Sequence, residues 1–134
     1  MVKREQMVVI IDDEEDLLDL YEYNFSKRGF RVLTFNRASK ALDYISQNRP
    51  DIILCDWMMP EMDGLELCKT IKSNLTTAEV PFLMVTCRTE KSAVRQALAA
   101  GVSDFISKPI GMDELVSRVN FILNSDQANT MTGT

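Results

Sequence analysis

Five short apolar runs, each closed by a polar residue or a turn signal and each followed by a segment of helical spacing, constrain this chain more than any other feature. Met7 to Ile11 (MVVII) is continuous rather than alternating, the pattern of a strand covered on both faces. It ends in Asp12-Asp13. Glu14 to Arg28 then sets Leu17, Leu18, Tyr21, Asn24 and Phe25 on one helical face, with acidic residues in the first turn and Lys27-Arg28-Gly29 at the close. Arg31–Phe35 predicts a second strand, and Ala38–Asn48 a helix facing inward through Ala38, Ala41, Leu42 and Ile45, halted before Pro50. A third strand over Ile52–Asp56 leads to a helix over Leu65–Ser73 that packs through Leu65, Cys68 and Ile71. Pro81–Thr86 reads as the fourth strand and Lys91–Ala100 as the fourth helix, with Ala93, Val94, Ala97 and Leu98 inward and Gly101 as its stop. Asp104–Ser107 is a short fifth strand, and Met112–Asn124 a last helix with Leu115, Val119, Ile122 and Leu123 inward.

Five βα units in a row without an internal repeat call for a parallel sheet with helices on both faces. A length of 134 residues fits one such domain, expected over residues 1–124, with polar Ser125–Thr134 as a flexible tail or linker stub.

Composition removes several classes of function. A net charge of -5 argues against a surface that neutralises nucleic-acid phosphates. No apolar run reaches membrane-spanning length, and MVKREQ lacks the apolar core of a signal peptide, so neither membrane nor export is expected and the cytoplasm is. Histidine is absent, which removes His-based acid/base catalysis, Ser-His-Asp triads and His-ligated zinc. Cys55, Cys68 and Cys87 show no CxxC spacing and are expected to be small buried hydrophobes.

Open parallel α/β sheets bind ligands outside the carboxyl ends of their strands, so the residues at those ends matter most. The first strand ends in Asp12-Asp13, the third in Asp56 and the fourth in Thr86, while Lys108-Pro109 follows the fifth. Each also has an ordinary structural reading. Asp12 and Asp13 suit a helix N-terminus, Asp56 a turn, Thr86 a strand and Lys108 a solvated surface. Their joint arrival at one rim is harder to explain that way. Clustered carboxylates raise one another's pKa unless a cation relieves them, and three hard oxygen donors make an incomplete octahedron for Mg²⁺. Lys108 and Thr86 suit the oxygens of a transferring phosphoryl group, and a carboxylate in line with that group can be its acceptor.

The motifs IIDDEEDLL, ILCDWMMPEMDGLEL, FLMVT and DFISKPI, in that order over about residues 6 to 124, make the chain resemble the receiver domains of two-component response regulators. The resemblance implies a flavodoxin-like doubly wound sheet of strand order 2-1-3-4-5. It implies Asp56 as phospho-acceptor, Mg²⁺ on Asp12, Asp13, Asp56 and the Met58 backbone carbonyl, and Lys108 on the phosphoryl group through a cis peptide to Pro109. Backbone amides of Trp57, Met58 and Cys87 are expected to meet the phosphate, those of Trp57 and Met58 being left free as the chain turns away at Pro60 and Asp63-Gly64. Thr86 then moves to the phosphate, Phe105 follows inward, and an output face forms around Lys91, Arg95 and Phe105. A histidine kinase or histidine phosphotransfer protein is the implied donor, and a target, an output domain or a phosphorylation-dependent dimer the implied listener. The domain is expected to be a switch and not a steady-turnover enzyme, since aspartyl-phosphate hydrolases usually carry a second Asp at the position of Met58. Met58 and Cys87, whose side chains carry neither charge nor amide to orient water, either lengthen the life of the phosphorylated state or simply pack.

Overall fold

A computed structural model describes residues 4–132, with side chains through Ser125. Strands β1 (Met7–Ile11), β2 (Arg31–Phe35), β3 (Ile52–Cys55), β4 (Phe82–Thr86) and β5 (Asp104–Ser107) alternate with helices α1 (Glu15–Ser26), α2 (Ala38–Ile45), α3 (Gly64–Ser73), α4 (Lys91–Ala100) and α5 (Met112–Thr132). All strand pairs are parallel, and the sheet order is β2-β1-β3-β4-β5, as expected.

The continuous apolar strands are explained by burial on both faces. Val9, Ile11, Ile53, Cys55, Phe82 and Met84 point to the side covered by α2, α3 and α4, among Ala41, Leu67, Cys68, Ile71, Ala93 and Ala97. Val8, Ile10, Ile52, Leu54, Leu83 and Val85 point to the other, against Leu18, Tyr21 and Phe25 of α1 and Leu115, Val119 and Leu123 of α5. Each fully buried Ile, Leu or Phe contributes about 1.5–3 kcal/mol relative to exposure, enough to hold the strand ends still.

Local chemistry sets the boundaries. Asp63 caps α3 by accepting from the Glu66 N–H while Glu66 accepts from the Asp63 N–H, a reciprocal capping box. Gly101 ends α4 at φ 104°, a left-handed conformation that glycine adopts without strain.

Several expectations need correction. α2 stops at Ile45, three residues before Asn48, because its last turn tightens: the Gln47 N–H donates to the Tyr44 carbonyl, three residues back rather than four. Leu98 lies outside the core at 56% exposure, on the solvent side of a helix buried only through Ala93 and Ala97. Leu65 packs against the core half-buried, as expected, and Leu67, not singled out from the sequence, is fully buried beside it. The α5 backbone remains helical to Thr132, past Asn124, since no Pro or Gly interrupts it before Gly133. Residues 133 and 134 of the expected tail lie outside the described residues. Among the described residues no helix is long and apolar enough to cross a membrane.

Candidate functional site

Register brings the polar residues together. Ile11 pairs with Cys55 in the β1–β3 ladder, so Asp12 and Asp56 emerge side by side where the strand order reverses. Their backbones stay tied to the sheet: the Asp12 N–H donates to Phe35 O at 3.1 Å, and the Asp56 N–H to Ile11 O at 3.0 Å. On the other side Thr86 pairs with Ser107, and the Lys108 N–H donates to Thr86 O at 2.9 Å. The Lys108-Pro109 peptide is cis, as the resemblance implies.

Asp12 is buried, Asp56 half-buried and Asp13 exposed, and one carboxylate oxygen from each lies within 4.8 Å of the others. The Lys108 ammonium enters this cluster, donating to Asp12 Oδ2 at 2.7 Å and Asp56 Oδ2 at 3.1 Å. Burial pushes the Asp12 carboxyl up, opposed by Lys108 and by the Glu14 N–H at 2.9 Å. Burial likewise works to lower the pKa of Lys108, but the hydrogen bonds and charges of Asp12 and Asp56 outweigh it and the ammonium is held above its ordinary range. The donor set fits a small hard cation: oxygen atoms only, on a rim open enough at Asp13 for water ligands.

The remaining predicted residues fall around this cluster. Thr86 is buried, and its hydroxyl accepts from the Arg88 N–H at 3.3 Å. The Trp57 N–H is not left free: it donates to Asp56 Oδ1 at 2.7 Å, because an aspartate side chain readily bonds the next amide when a strand ends in a turn. The Trp57 carbonyl accepts from the Gly64 N–H at 2.9 Å. Met58 is 62% exposed. Cys87 is exposed, contrary to expectation, because β4 has already ended at Thr86; Cys55 and Cys68 are buried as expected. Phe105 is half-buried and meets Trp57 edge-on, ring centroids 6.4 Å apart. Lys91 and Arg95 are exposed on α4.

Sequence reasoning missed Arg88. Its guanidinium lies 4.3 Å from the centroid of the Trp57 ring, and Nε and Nη2 both donate to Glu90 Oε2. An arginine two residues beyond Thr86 with a carboxylate two further on is the only signal the chain carried for it.

The family described as the response regulator receiver domain matches residues 8–120. The phosphate regulon transcriptional regulatory protein PhoB of Rhizobium meliloti (strain 1021) is 35% identical over 116 residues, 87% of this chain and 51% of that protein. The chain thus spans about half the length of that curated relative. A candidate response regulator from Chloroflexus aurantiacus J-10-fl superposes with TM-score 0.85 at 32% identity, covering 90% of this chain and 99% of that one. The receiver domain of a signal transduction histidine kinase from Syntrophus aciditrophicus does so with TM-score 0.83 at 28% identity, covering 90% and 91%. The chain belongs to the response regulator receiver family of two-component signalling. Members of that family are signalling switches rather than turnover enzymes.

Proposed function

We propose that this domain is a phosphorylation-activated switch whose acceptor is Asp56. The observation that carries this reading is the meeting of Asp12, Asp13, Asp56 and Lys108 at the carboxyl rim, with the ammonium 2.7 Å from Asp12 and 3.1 Å from Asp56. A donor of the histidine kinase or histidine phosphotransfer class presents a phosphorylated imidazole. One Asp56 oxygen attacks phosphorus as the P–N bond breaks, the imidazole leaves, and an acyl phosphate forms.

Asp12, Asp13, Asp56 and the Met58 carbonyl would hold Mg²⁺, which when bound offsets the charge of the transferring oxygens. Lys108 supplies a second positive charge to the phosphoryl group. The Trp57 N–H, now on Asp56 Oδ1, stands beside the new phosphate, with the amides of Met58 and Cys87 completing its cradle. Thr86 exchanges the Arg88 N–H for the phosphoryl group by donating its own hydroxyl proton, and Phe105 follows.

Phosphorylation thereby biases two pre-existing packings of the face formed by α4, β5 and α5 around Lys91, Arg95 and Phe105. A full swing from inactive to active requires about 5.5 kcal/mol of differential stabilisation, so partial activation is the expected outcome. The face would address a downstream target, an output domain or a second copy. Residues 1–124 form the receiver unit in this reading, with residues 125–134 as a tail or linker stub, working in the cytoplasm without direct contact to nucleic acid or membrane.

Intact-mass spectrometry after incubation with acetyl phosphate and Mg²⁺ tests it. A single added phosphoryl group, absent with chelator and absent in Asp56→Asn, is expected. An unmodified wild-type protein that also fails to take up beryllofluoride would sink the switch and leave a module that signals by docking alone.

A further inference from the structure

The Trp57 ring sits at a junction that the phosphorylation chemistry does not use. The residue's backbone N–H touches the Asp56 carboxylate, its ring meets the edge of Phe105, and it is 2% exposed although it lies in a surface turn. The Arg88 guanidinium helps to cover it, 4.3 Å from the ring centroid. Arg88 is anchored twice more on its own loop, by its N–H to the Thr86 hydroxyl at 3.3 Å and by its side chain to Glu90 at the start of α4.

We infer that Arg88 is a positioning residue, a latch whose stacking on Trp57 holds the β4–α4 segment and the Thr86 hydroxyl in the resting arrangement and so opposes the switch. The inference rests on the phosphorylation reading above. In that reading Thr86 must turn its hydroxyl toward the phosphoryl group, which breaks its bond to the Arg88 N–H and draws the guanidinium off the ring. Of the two side-chain anchors, the stack matters more. The pair with Glu90 spans two residues of one exposed loop and contributes little, whereas the stack joins the segment after β4 to the segment after β3. Phe105, edge-on to the same ring, would then sense release of the latch directly.

Trp57 is the single tryptophan, so tryptophan emission has one source, the ring that Arg88 covers. In the metal-free protein, collisional quenching by acrylamide should rise about twofold in Arg88→Ala and less in Arg88→Lys, which keeps the charge but loses the flat stacking surface. Quenching equal to wild type in Arg88→Ala would overturn the latch, whatever the phosphorylation chemistry does. In a titration with beryllofluoride and Mg²⁺ followed by the same emission, the Arg88→Ala midpoint should fall roughly two- to fivefold, with Arg88→Lys between. An unchanged or higher midpoint overturns the role in switching. Asp56→Asn separates the two readings: a response that survives in it, or is missing from wild type, defeats the phospho-acceptor reading and the switching role with it. The quenching result then still decides whether the stack forms.

Discussion

Lys108 holds Asp12 more closely than it holds Asp56, Nζ to Oδ2 at 2.7 Å against 3.1 Å, reaching across the sheet from the end of β5 to the end of β1. The contact makes an ammonium the resting counter-ion of a carboxylate cluster that electrostatics alone would push apart. It also sets up competition, because the charge that stabilises the metal-free fold is the one a divalent cation would share.

Lys108→Ala should therefore destabilise the metal-free protein at neutral pH, by roughly 2 kcal/mol, less than for a pair deep in a core because the rim is partly wet. Mg²⁺ should raise its melting temperature more than that of wild type, as ligand linkage requires of a site that has lost its built-in cation. Thermal denaturation with and without Mg²⁺ reads both; equal metal-induced shifts would remove Lys108 from the cluster's electrostatic balance.

Met58 is 62% exposed two residues beyond Asp56 and offers neither charge nor amide to a nearby water. Met58→Asn should shorten the life of the phosphorylated protein severalfold without changing stability. The decay of the phosphorylated mass after removal of the donor measures it, and an unchanged decay would show that the side chain only packs.

Gly64 admits no side chain. A Cβ there would lie 2.3 Å from the Asp56 carbonyl oxygen and 3.0 Å from the Trp57 Cα, both backbone atoms that cannot swing aside. Gly64→Ala should cost about 3 kcal/mol in denaturant unfolding and displace the acceptor backbone. Phosphorylation should fall even at temperatures where the variant remains folded.

The three thiols should separate by reactivity. Burial pushes the Cys68 thiol up to about 11 and the Cys55 thiol well above its ordinary range, whereas Cys87 is exposed. Iodoacetamide at pH 8 should modify Cys87 first and reach Cys55 and Cys68 only after unfolding. Peptide mapping after timed quenching distinguishes this from uniform labelling.

Burial also pushes the Tyr21 phenol up to about 12, against about 10 in an unfolded chain. Between those values the native state keeps a proton that the unfolded state has lost, so stability falls as pH rises from about 10 to about 12, by up to about 3 kcal/mol from this group. Lys108, whose pKa is also raised, acts in the same direction there. Urea unfolding at pH 9 and pH 11 should therefore show a smaller loss in Tyr21→Phe than in wild type.

Much of the architecture was legible in the chain. Continuous apolar runs such as MVVII and IILC occur where both faces of a strand are covered, and with the more polar edge segments RVLTF and DFIS and helical spacing between them they leave few arrangements other than a doubly covered parallel sheet. Polar residues at the strand ends located the rim. The places of Leu98 and Cys87 were misread because periodicity gives the angle of a side chain around its element but not how far the neighbouring elements reach over it.

Local chemistry along the chain thus determined the elements, their order and the identity of the carboxylates, since periodicity, caps and turns act over a few residues. Only the tertiary structure decided that Lys108 bonds Asp12 at 2.7 Å, that the Trp57 amide is taken by Asp56, and that Arg88 lies over Trp57. Two of these contacts join segments far apart in sequence, and the third depends on the turn after β3. Each is set within tenths of an ångström by sheet register and loop path, which arise from the packing of the whole domain and have no pattern in any single stretch of residues.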